Sequence, residues 1–348
     1  MRANPLRVAQ ILAGAEFGGA ENFYVRLVSS LNERPQLIQK AYLRGYPDRR
    51  ARLEAAGVAY EEFAFGGPLQ WFARARYLRA LKDFAPDIVM TWMGRATRHT
   101  PRGDYVLINR LGHYYKLKYY RHADYWVGIS KGICDHLIRG GMPAQRVEYI
   151  PNFADETPVT PLPRTSFDTP TGVPLLVSAG RLHTNKAFDV LLKSLALLPD
   201  AYLWLAGNGP EEQALKALAA ELGVSERVRF LGWRNDVTTL MASGDVFVCP
   251  SRHEGLGSIV MEAWAHRCPI VATLSQGPGE LIEDGVTGLT TPIDDHHALA
   301  AALETVLADP ALAQRLRDNA EAHYKKYFAR QVITDQYCAF YQRCVDQR

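Results

Sequence analysis

Short apolar runs recur along both halves of this chain, and each hands over to a longer stretch with apolar residues at helical spacing. LRVAQIL at 6–12 leads into FYVRLVSSL, LLVSA at 175–179 into KAFDVLLKSLALL, and DVFVCP at 245–250 into IVMEAWA. Runs this short and continuously apolar fit strands buried on both faces, not strands with one wet side. Strand and helix patterns alternating in this way predict two parallel sheets, each covered by helices on both faces. The 348 residues suffice for two domains with separate cores. The stretch PNFADETPVTPLPRTSFDTPTGVP at 151–174, rich in proline and threonine, reads as the linker between them. The expected division is an N-terminal domain over 1–165, a second domain over 166–325, and a helix over 326–348 that crosses back onto the first.

The segment 251–268, SRHEGLGSIVMEAWAHRC, carries the densest chemical information. It follows a buried strand pattern, turns through Gly255 and Gly257, and enters an apolar-faced helix. A glycine turn at a helix start presents free N–H groups and the positive end of the helix dipole, the arrangement that holds a phosphate. Glu254 precedes the helix and Glu262 lies roughly one and a half turns inside it. A ligand with an anionic middle and hydroxyl groups at both ends matches that spacing. Arg181 and Lys186, on the loop after the strand at 175–179, supply cations for one anion: arginine as a fork, lysine as a point charge.

Charge is distributed unevenly. The formal net charge is +3, yet up to Thr165 there are 24 Lys and Arg against 15 Asp and Glu, and thereafter 16 against 22. A basic first half predicts an anionic partner or an anionic surface. The helix pattern over 69–84, LQWFARARYLRALKDF, sets Trp71, Phe72, Leu78 and Leu81 among Arg74, Arg76, Arg79 and Lys82, a composition suited to a membrane surface or to ordinary packing with snorkelling arginines. The loop 109–124 carries His113, Lys116, Lys118 and Arg121 interleaved with four tyrosines, and suits a grip on single-stranded nucleic acid or a carbohydrate acceptor. No recognised nucleic-acid motif accompanies the basic half, so no nucleic-acid partner is expected. No apolar run approaches the roughly 18 residues of a membrane span. The five cysteines are scattered with no C-x-x-C pair, so no zinc site is assigned and a cytoplasmic protein is expected.

Several motifs taken together resemble a known family. EGLGSIVMEAWA holds Glu254 and Glu262 in an E-x7-E arrangement, GRLHTNK holds Arg181 and Lys186, and GGAE stands at Gly18 to Glu21. GNGPE at Gly207 to Glu211 and IPNFAD at Ile150 to Asp155 complete the series. In order and spacing these resemble the retaining GT-B glycosyltransferases of family 4 over nearly the whole chain. The resemblance implies two Rossmann-like domains with a nucleotide-sugar cleft between them, and a reaction that needs no metal. Arg181 and Lys186 would then neutralise the diphosphate leaving group, Glu262 would take the ribose hydroxyls, and Glu254 with the backbone of Gly255, Leu256, Gly257 and Ser258 would hold the donor hexose. Gly209 in the GNGPE motif and Trp233 after Gly232 would line the nucleotide side. Gly18 and Gly19 would turn N–H groups toward the phosphate or acceptor, His113 would touch the donor sugar with His99 as second candidate, and Lys116, Lys118 and Arg121 would hold the acceptor. The chain departs from the family with Ala187 where Lys-Gly is usual, Leu256 for Phe, and Phe153 for the glycine of Pro-Asn-Gly.

The expected activity is sugar transfer from a nucleoside diphosphate sugar to a glycan or glycolipid, in lipopolysaccharide or other envelope polysaccharide synthesis, with a peripheral seat at the cytoplasmic membrane face. No Asp or Glu of the first half stands out as a nucleophile, which favours front-face displacement in which the leaving phosphate takes the acceptor proton. The rival readings are a sugar-nucleotide epimerase of the same fold, which needs no acceptor, and a catalytically silent carbohydrate-binding or scaffold homologue.

Overall fold

The computed structural model describes residues 4–16, 18–66 and 70–348. The chain divides into two compact units, 1–152 with 330–348, and 153–329.

In the first unit, strands β1 (Leu6–Leu12), β2 (Leu37–Leu43), β3 (Tyr60–Glu62), β4 (Ile88–Trp92), β5 (Val106–Leu111), β6 (Tyr125–Gly128) and β7 (Val147–Tyr149) form one parallel sheet in the order 3-2-1-4-5-6-7. The order reverses between β1 and β4, which opens a crevice at their carboxyl ends. Helices α1 (Gly19–Asn32), α2 (Pro47–Ala55), α3 (Gln70–Phe84), α4 (Met93–His99) and α5 (Lys131–Arg139) connect the strands. β3 is three residues long, and the polar GRATRHTPRGD stretch after Met93 is a helix in its first part. Met93 takes a left-handed conformation at φ 66° to start that helix. Its arginines face out, while Thr97 turns in to share hydrogen bonds with Thr91 (2.9 Å), which itself donates to Asn109 at 2.7 Å. α3 packs through buried Tyr77, Leu81 and Phe84 and leaves Trp71 82% and Phe72 77% exposed.

The second unit holds β8 (Leu175–Ala179), α6 (Phe188–Ala196), β9 (Tyr202–Ala206), α7 (Glu212–Glu221), β10 (Val228–Gly232), α8 (Val237–Ser243), β11 (Val246–Cys249), α9 (Ser258–Ala265), β12 (Ile270–Thr273), α10 (Gln276–Leu281), β13 (Leu289–Thr291), α11 (His296–Ala308) and α12 (Pro310–Tyr327). Its six strands are parallel in the order 10-9-8-11-12-13. Leu191, Leu195, Leu203, Leu205, Val248, Val271 and Leu303 meet in its core, as the apolar runs require. The SQGPGE segment forms the N-cap and body of the short helix α10, and its Gly277 and Pro278 pack closely on the turn before α9.

The helical pattern at the end of the chain is broken at Phe328 and Ala329, and its last part is α13 (Arg330–Asp346). α13 belongs to the first unit. Tyr341 accepts a hydrogen bond from Gln10 at 3.2 Å, Thr334 pairs with Ser30 at 2.8 Å, and Tyr337 accepts from buried Arg110 at 3.0 Å. The proline-rich stretch after 152 is not a free linker. It is pinned within the second unit: Leu162 N–H donates to Ser243 at 2.8 Å, and one terminal nitrogen of the Arg164 side chain donates to both carboxylate oxygens of Asp245 at 2.9 and 2.8 Å. Prolines made this stretch look loose, yet they also leave carbonyls and a few N–H groups for side chains to hold.

Candidate active site

At the carboxyl edge of the second sheet, loops from neighbouring strands lie backbone against backbone. Gly180 N–H donates to Ala206 at 2.9 Å, Leu182 N–H to Asn208 at 3.0 Å, and Gly207 N–H to Gly232 at 2.7 Å. A side chain at Gly207 would sit 1.8 Å from the Gly180 carbonyl oxygen, and one at Gly209 would sit 2.1 Å from that of Leu182. Those two glycines therefore set how closely the loop carrying Arg181 approaches the loop of the GNGPE motif. Trp233, next after Gly232, stands 71% exposed beside this ladder.

The loop after β11 joins the same edge. Asn185 accepts N–H bonds from Arg252 (2.8 Å) and His253 (3.2 Å), and the Glu254 carbonyl accepts from Gly277 at 2.7 Å. Gly257 is left-handed at φ 71° and caps α9 with no side-chain bond to the first N–H groups. A Cβ on Gly277 would lie 2.2 Å from the Leu256 carbonyl carbon, so the α9 and α10 turns are in contact. Leu256 points inward and is buried, Gly255 and Ser258 are half-buried, and Glu262 is half-buried on α9.

This convergence places Lys186 and Glu254, 68 residues apart in sequence, in a direct ion pair. Both are largely buried, with 27% and 19% of their side chains exposed. Burial pulls the lysine pKa down, but the charge and hydrogen bond of Glu254 outweigh it and the net shift is upward. Lys186 therefore stays cationic across the neutral range. Arg181 is exposed and makes no hydrogen bond or ion pair among the described residues. One held cation, one unengaged cation and an uncapped helix start thus share one edge, a combination able to bind and stabilise a developing anion.

Sequence reasoning missed the residue that fastens these loops. Arg252 donates to both oxygens of Asp189 (3.0 and 2.8 Å), to Asp294 at 2.6 Å and to the Thr184 carbonyl at 2.7 Å. It ties the Lys186 loop and the first turn of α6 to the Glu254 loop. A lone arginine two residues before Glu254 gave no signal, since its partners lie on three other segments. One departure from the family falls at a left-handed position: Ala187 has φ 51°, which accounts for the family's glycine there and not for this chain's alanine.

In the first unit, the room above Gly18 is filled from within the chain. Glu21 folds back, is 5% exposed and accepts the Ala15 N–H at 2.8 Å, and a Cβ on Gly18 would lie 2.3 Å from its carboxylate. Arg49 fixes the same loop through the carbonyls of Ala15 (2.5 Å) and Glu16 (3.3 Å). Gly19 has open space above it. His113 is exposed, with its ring 5.8 Å from that of Tyr115. His99 is half-buried 6.0 Å from the Phe65 ring, its pKa lowered by burial and then by Arg74, Arg98 and Arg95. Lys116 and Lys118 are exposed, Lys118 and Arg98 lie 4.8 and 5.0 Å from the Tyr119 ring, and Arg121 donates to the Gly140 carbonyl at 3.0 Å. Among the described residues no group of three or more His, Cys, Asp or Glu gathers as a metal site, and no helix is long and apolar enough to cross a membrane.

Two parallel-sheet units of this kind define the GT-B fold. Solved structures of the same fold include a glycosyltransferase from Rickettsia africae (TM-score 0.86, 18% identity, covering 99% of this chain and 100% of that one). Anabaena Alr3699/HepE in complex with UDP-glucose is a second (TM-score 0.83, 21% identity, 97% and 100%). Residues 17–157 match the Glycosyltransferase Family 4 description and residues 163–323 that of Glycosyl transferases group 1. The lipopolysaccharide core biosynthesis glycosyltransferase LpsE of Rhizobium meliloti is 38% identical over 330 residues, 92% of this chain and 94% of that protein. LpsD of the same organism is 33% identical over 351 residues, 99% and 100%. The chain belongs to the group 1, family 4 glycosyltransferases, and it is a transferase enzyme.

Proposed function

We propose that this glycosyltransferase moves a sugar from a nucleoside diphosphate sugar onto a lipopolysaccharide core or related envelope glycan, with retention at the anomeric carbon. The observation that carries the reading is the Lys186–Glu254 pair set beside unengaged Arg181 and the uncapped start of α9. Departure of a nucleoside diphosphate builds negative charge on its terminal phosphate, and Arg181 and Lys186 meet that charge without a metal ion. Glu254 orients Lys186 and, with the Gly255 to Ser258 backbone, takes hydroxyls of the donor hexose, while Glu262 takes those of the ribose. Gly209 and Trp233 border the nucleotide. The leaving phosphate accepts the acceptor hydroxyl proton as that oxygen attacks the same face of the sugar. Lys116, Lys118 and Arg121 of the first unit are assigned to the acceptor.

The acceptor class follows from the relatives, two of which are named for lipopolysaccharide core biosynthesis. HepE, a structure of the same fold, was solved with UDP-glucose, which supports a nucleotide-sugar donor. Trp71 and Phe72, exposed at the start of a helix that also carries Arg74, Arg76, Arg79 and Lys82, suit peripheral contact with an anionic leaflet at the cytoplasmic face.

Screening nucleoside diphosphate sugars for slow hydrolysis and for thermal stabilisation tests the reading. One donor is expected to raise the melting temperature and release its nucleoside diphosphate, faster when a core oligosaccharide is added. Conversion of the donor into an isomeric sugar nucleotide without acceptor would make the protein an epimerase instead.

A further inference from the structure

Strand β12 runs Ile270, Val271, Ala272 and then Thr273, and Thr273 is 1% exposed. Valine has nearly the same shape and suits a buried strand at least as well, whereas a buried hydroxyl costs free energy unless it is bonded. Its bond accounts for its place. β11 and β12 pair in parallel as far as Cys249 beside Ala272. Pro250 follows, with no N–H to continue the ladder, and the chain leaves the sheet. One residue further on, the Thr273 hydroxyl donates to the carbonyl of buried Ser251 at 2.5 Å. The Ser275 hydroxyl lies 3.4 Å away, so the Thr273 proton is committed to that carbonyl. A side chain thus takes over the hold where the ladder stops.

The segment held in this way is the start of the Glu254 loop, and residues 251–254 are fixed through the main chain from two sides. On one side Thr273 donates to the Ser251 carbonyl and the Gly277 N–H to that of Glu254 at 2.7 Å. On the other, the N–H groups of Arg252 and His253 both donate to the carbonyl of Asn185, the residue before Lys186, at 2.8 and 3.2 Å. The loop is therefore strung between the β12–α10 segment and the Lys186 loop. Without the Thr273 hydroxyl, the Ser251 carbonyl is buried with its partner gone and must move toward another donor. That movement reaches Glu254 within three residues.

Glu254 in turn sets the state of Lys186. The groups that act on the lysine are the Glu254 carboxylate and the Cys249 thiol. Burial depresses the lysine pKa, and the Glu254 charge and bond, with a smaller contribution from Cys249, more than offset it. A displaced carboxylate leaves burial to dominate.

We propose that Thr273 is a positioning residue for sugar transfer: by holding the Ser251 carbonyl it fixes the loop that brings Glu254 to Lys186, and so sets where the lysine stands as the leaving group departs. The assignment to the reaction rests on the transferase reading; the placement of Glu254 does not. Because its hydroxyl is committed inside the protein, Thr273 acts through the loop and not on the sugar nucleotide.

Three variants of the full chain test it. Thr273→Val removes the hydroxyl and keeps the shape, Thr273→Ser keeps the hydroxyl, and Thr273→Ala leaves room for a water on the carbonyl and stands in if the valine protein does not fold. In Thr273→Val, kcat is expected to fall about tenfold or more with donor KM within about threefold of wild type, as when an interaction made in the transition state is misplaced. Thr273→Ser is expected to recover most of that loss. Competitive acetylation of Lys186 across pH, followed by mass spectrometry, reads the ion pair without any turnover. Its midpoint is expected to move to lower pH in Thr273→Val and to stay at the wild-type position in Thr273→Ser. A kcat within about twofold of wild type in the valine and alanine proteins, equal effects on kcat and KM, a serine protein as impaired as the valine one, or an unmoved acetylation midpoint would each overturn the proposal. If the wild type turns over no sugar nucleotide while the midpoint moves, the transferase reading fails and the hold on Glu254 stands; turnover with an unmoved midpoint removes Thr273 alone.

Discussion

The two sheets present different kinds of charge at their carboxyl edges. In the second unit Lys186 and Arg252 are each bound to carboxylates brought by other segments, and Arg181 is left unengaged. In the first, Arg44 leans over the Tyr46 ring, Lys118 lies over the Tyr119 ring, and Arg95 and Lys116 are exposed, none of them with a carboxylate partner among the described residues. A cation already oriented by an ion pair is preorganised and loses little freedom when an anion arrives, which is what a leaving group common to every turnover requires. Cations without partners leave recognition to the ligand, which suits a substrate that differs from one family member to the next.

The largest effect of removing a held cation is expected at Lys186. Lys186→Ala is expected to lower donor turnover by about 10² to 10³-fold, as loss of a transition-state charge partner does, and also to lower the melting temperature, since Glu254 is left half-buried and unpaired. Arg181→Ala separates the two effects. Its side chain is exposed and makes no hydrogen bond or ion pair among the described residues, so stability should stay within about 0.5 kcal/mol while turnover falls by tenfold or more. An Arg181 variant that melts early but turns over donor normally would erase the distinction between held and unengaged cations.

Arg252→Met sharpens the comparison from the structural side. It removes bonds to three segments, and a cost of about 1 to 2 kcal/mol is expected after allowing for solvent screening. Because it acts by positioning Lys186 and Glu254, kcat should fall more than KM rises; equal effects on both would mean the clamp is merely structural. The pair also sets a pH signature. Burial pushes the Asp189 carboxyl up, but the bonds and charge of Arg252 outweigh this and hold it below its ordinary range. A depressed carboxyl contributes its full stabilisation above the unfolded value of about pH 4 and loses it as pH falls through the folded one. The melting-temperature gap between wild type and Asp189→Asn should therefore be constant near neutrality and close as pH drops below about 4.

Smaller effects are expected at the surface and at one strained turn. Trp71→Ser/Phe72→Ser should weaken sedimentation with anionic vesicles while leaving the melting temperature unmoved, because both side chains are already exposed. Ala187→Gly, which relieves a left-handed alanine but adds chain entropy and removes a buried methyl group, should change stability by no more than about 1 kcal/mol in either direction, as thermal melts can check.

Much of the second unit's site was legible because its signals are local. A strand, a glycine turn and a helix start lie consecutively around Glu254, and Arg181 and Lys186 follow their own strand by a few residues. The arrangement of α4 was not legible, since Arg95, Arg98 and His99 look like solvated loop residues until Thr97 and Thr100 are seen to turn inward. Gly18 was legible as a special position, but its reason was not, because the Glu21 carboxylate that fills its space must first fold back.

Apolar periodicity that each segment carries alone dictates two parallel α/β sheets, with the charged motifs at strand ends. Tertiary structure alone decided which of those ends meet. Lys186 pairs with Glu254, Arg252 reaches Asp189 and Asp294, and Arg44, Glu62 and Arg95 line one cleft. Such meetings follow from strand order and crossover, which bring distant residues to one edge of a sheet, and no spacing along the chain encodes that distance.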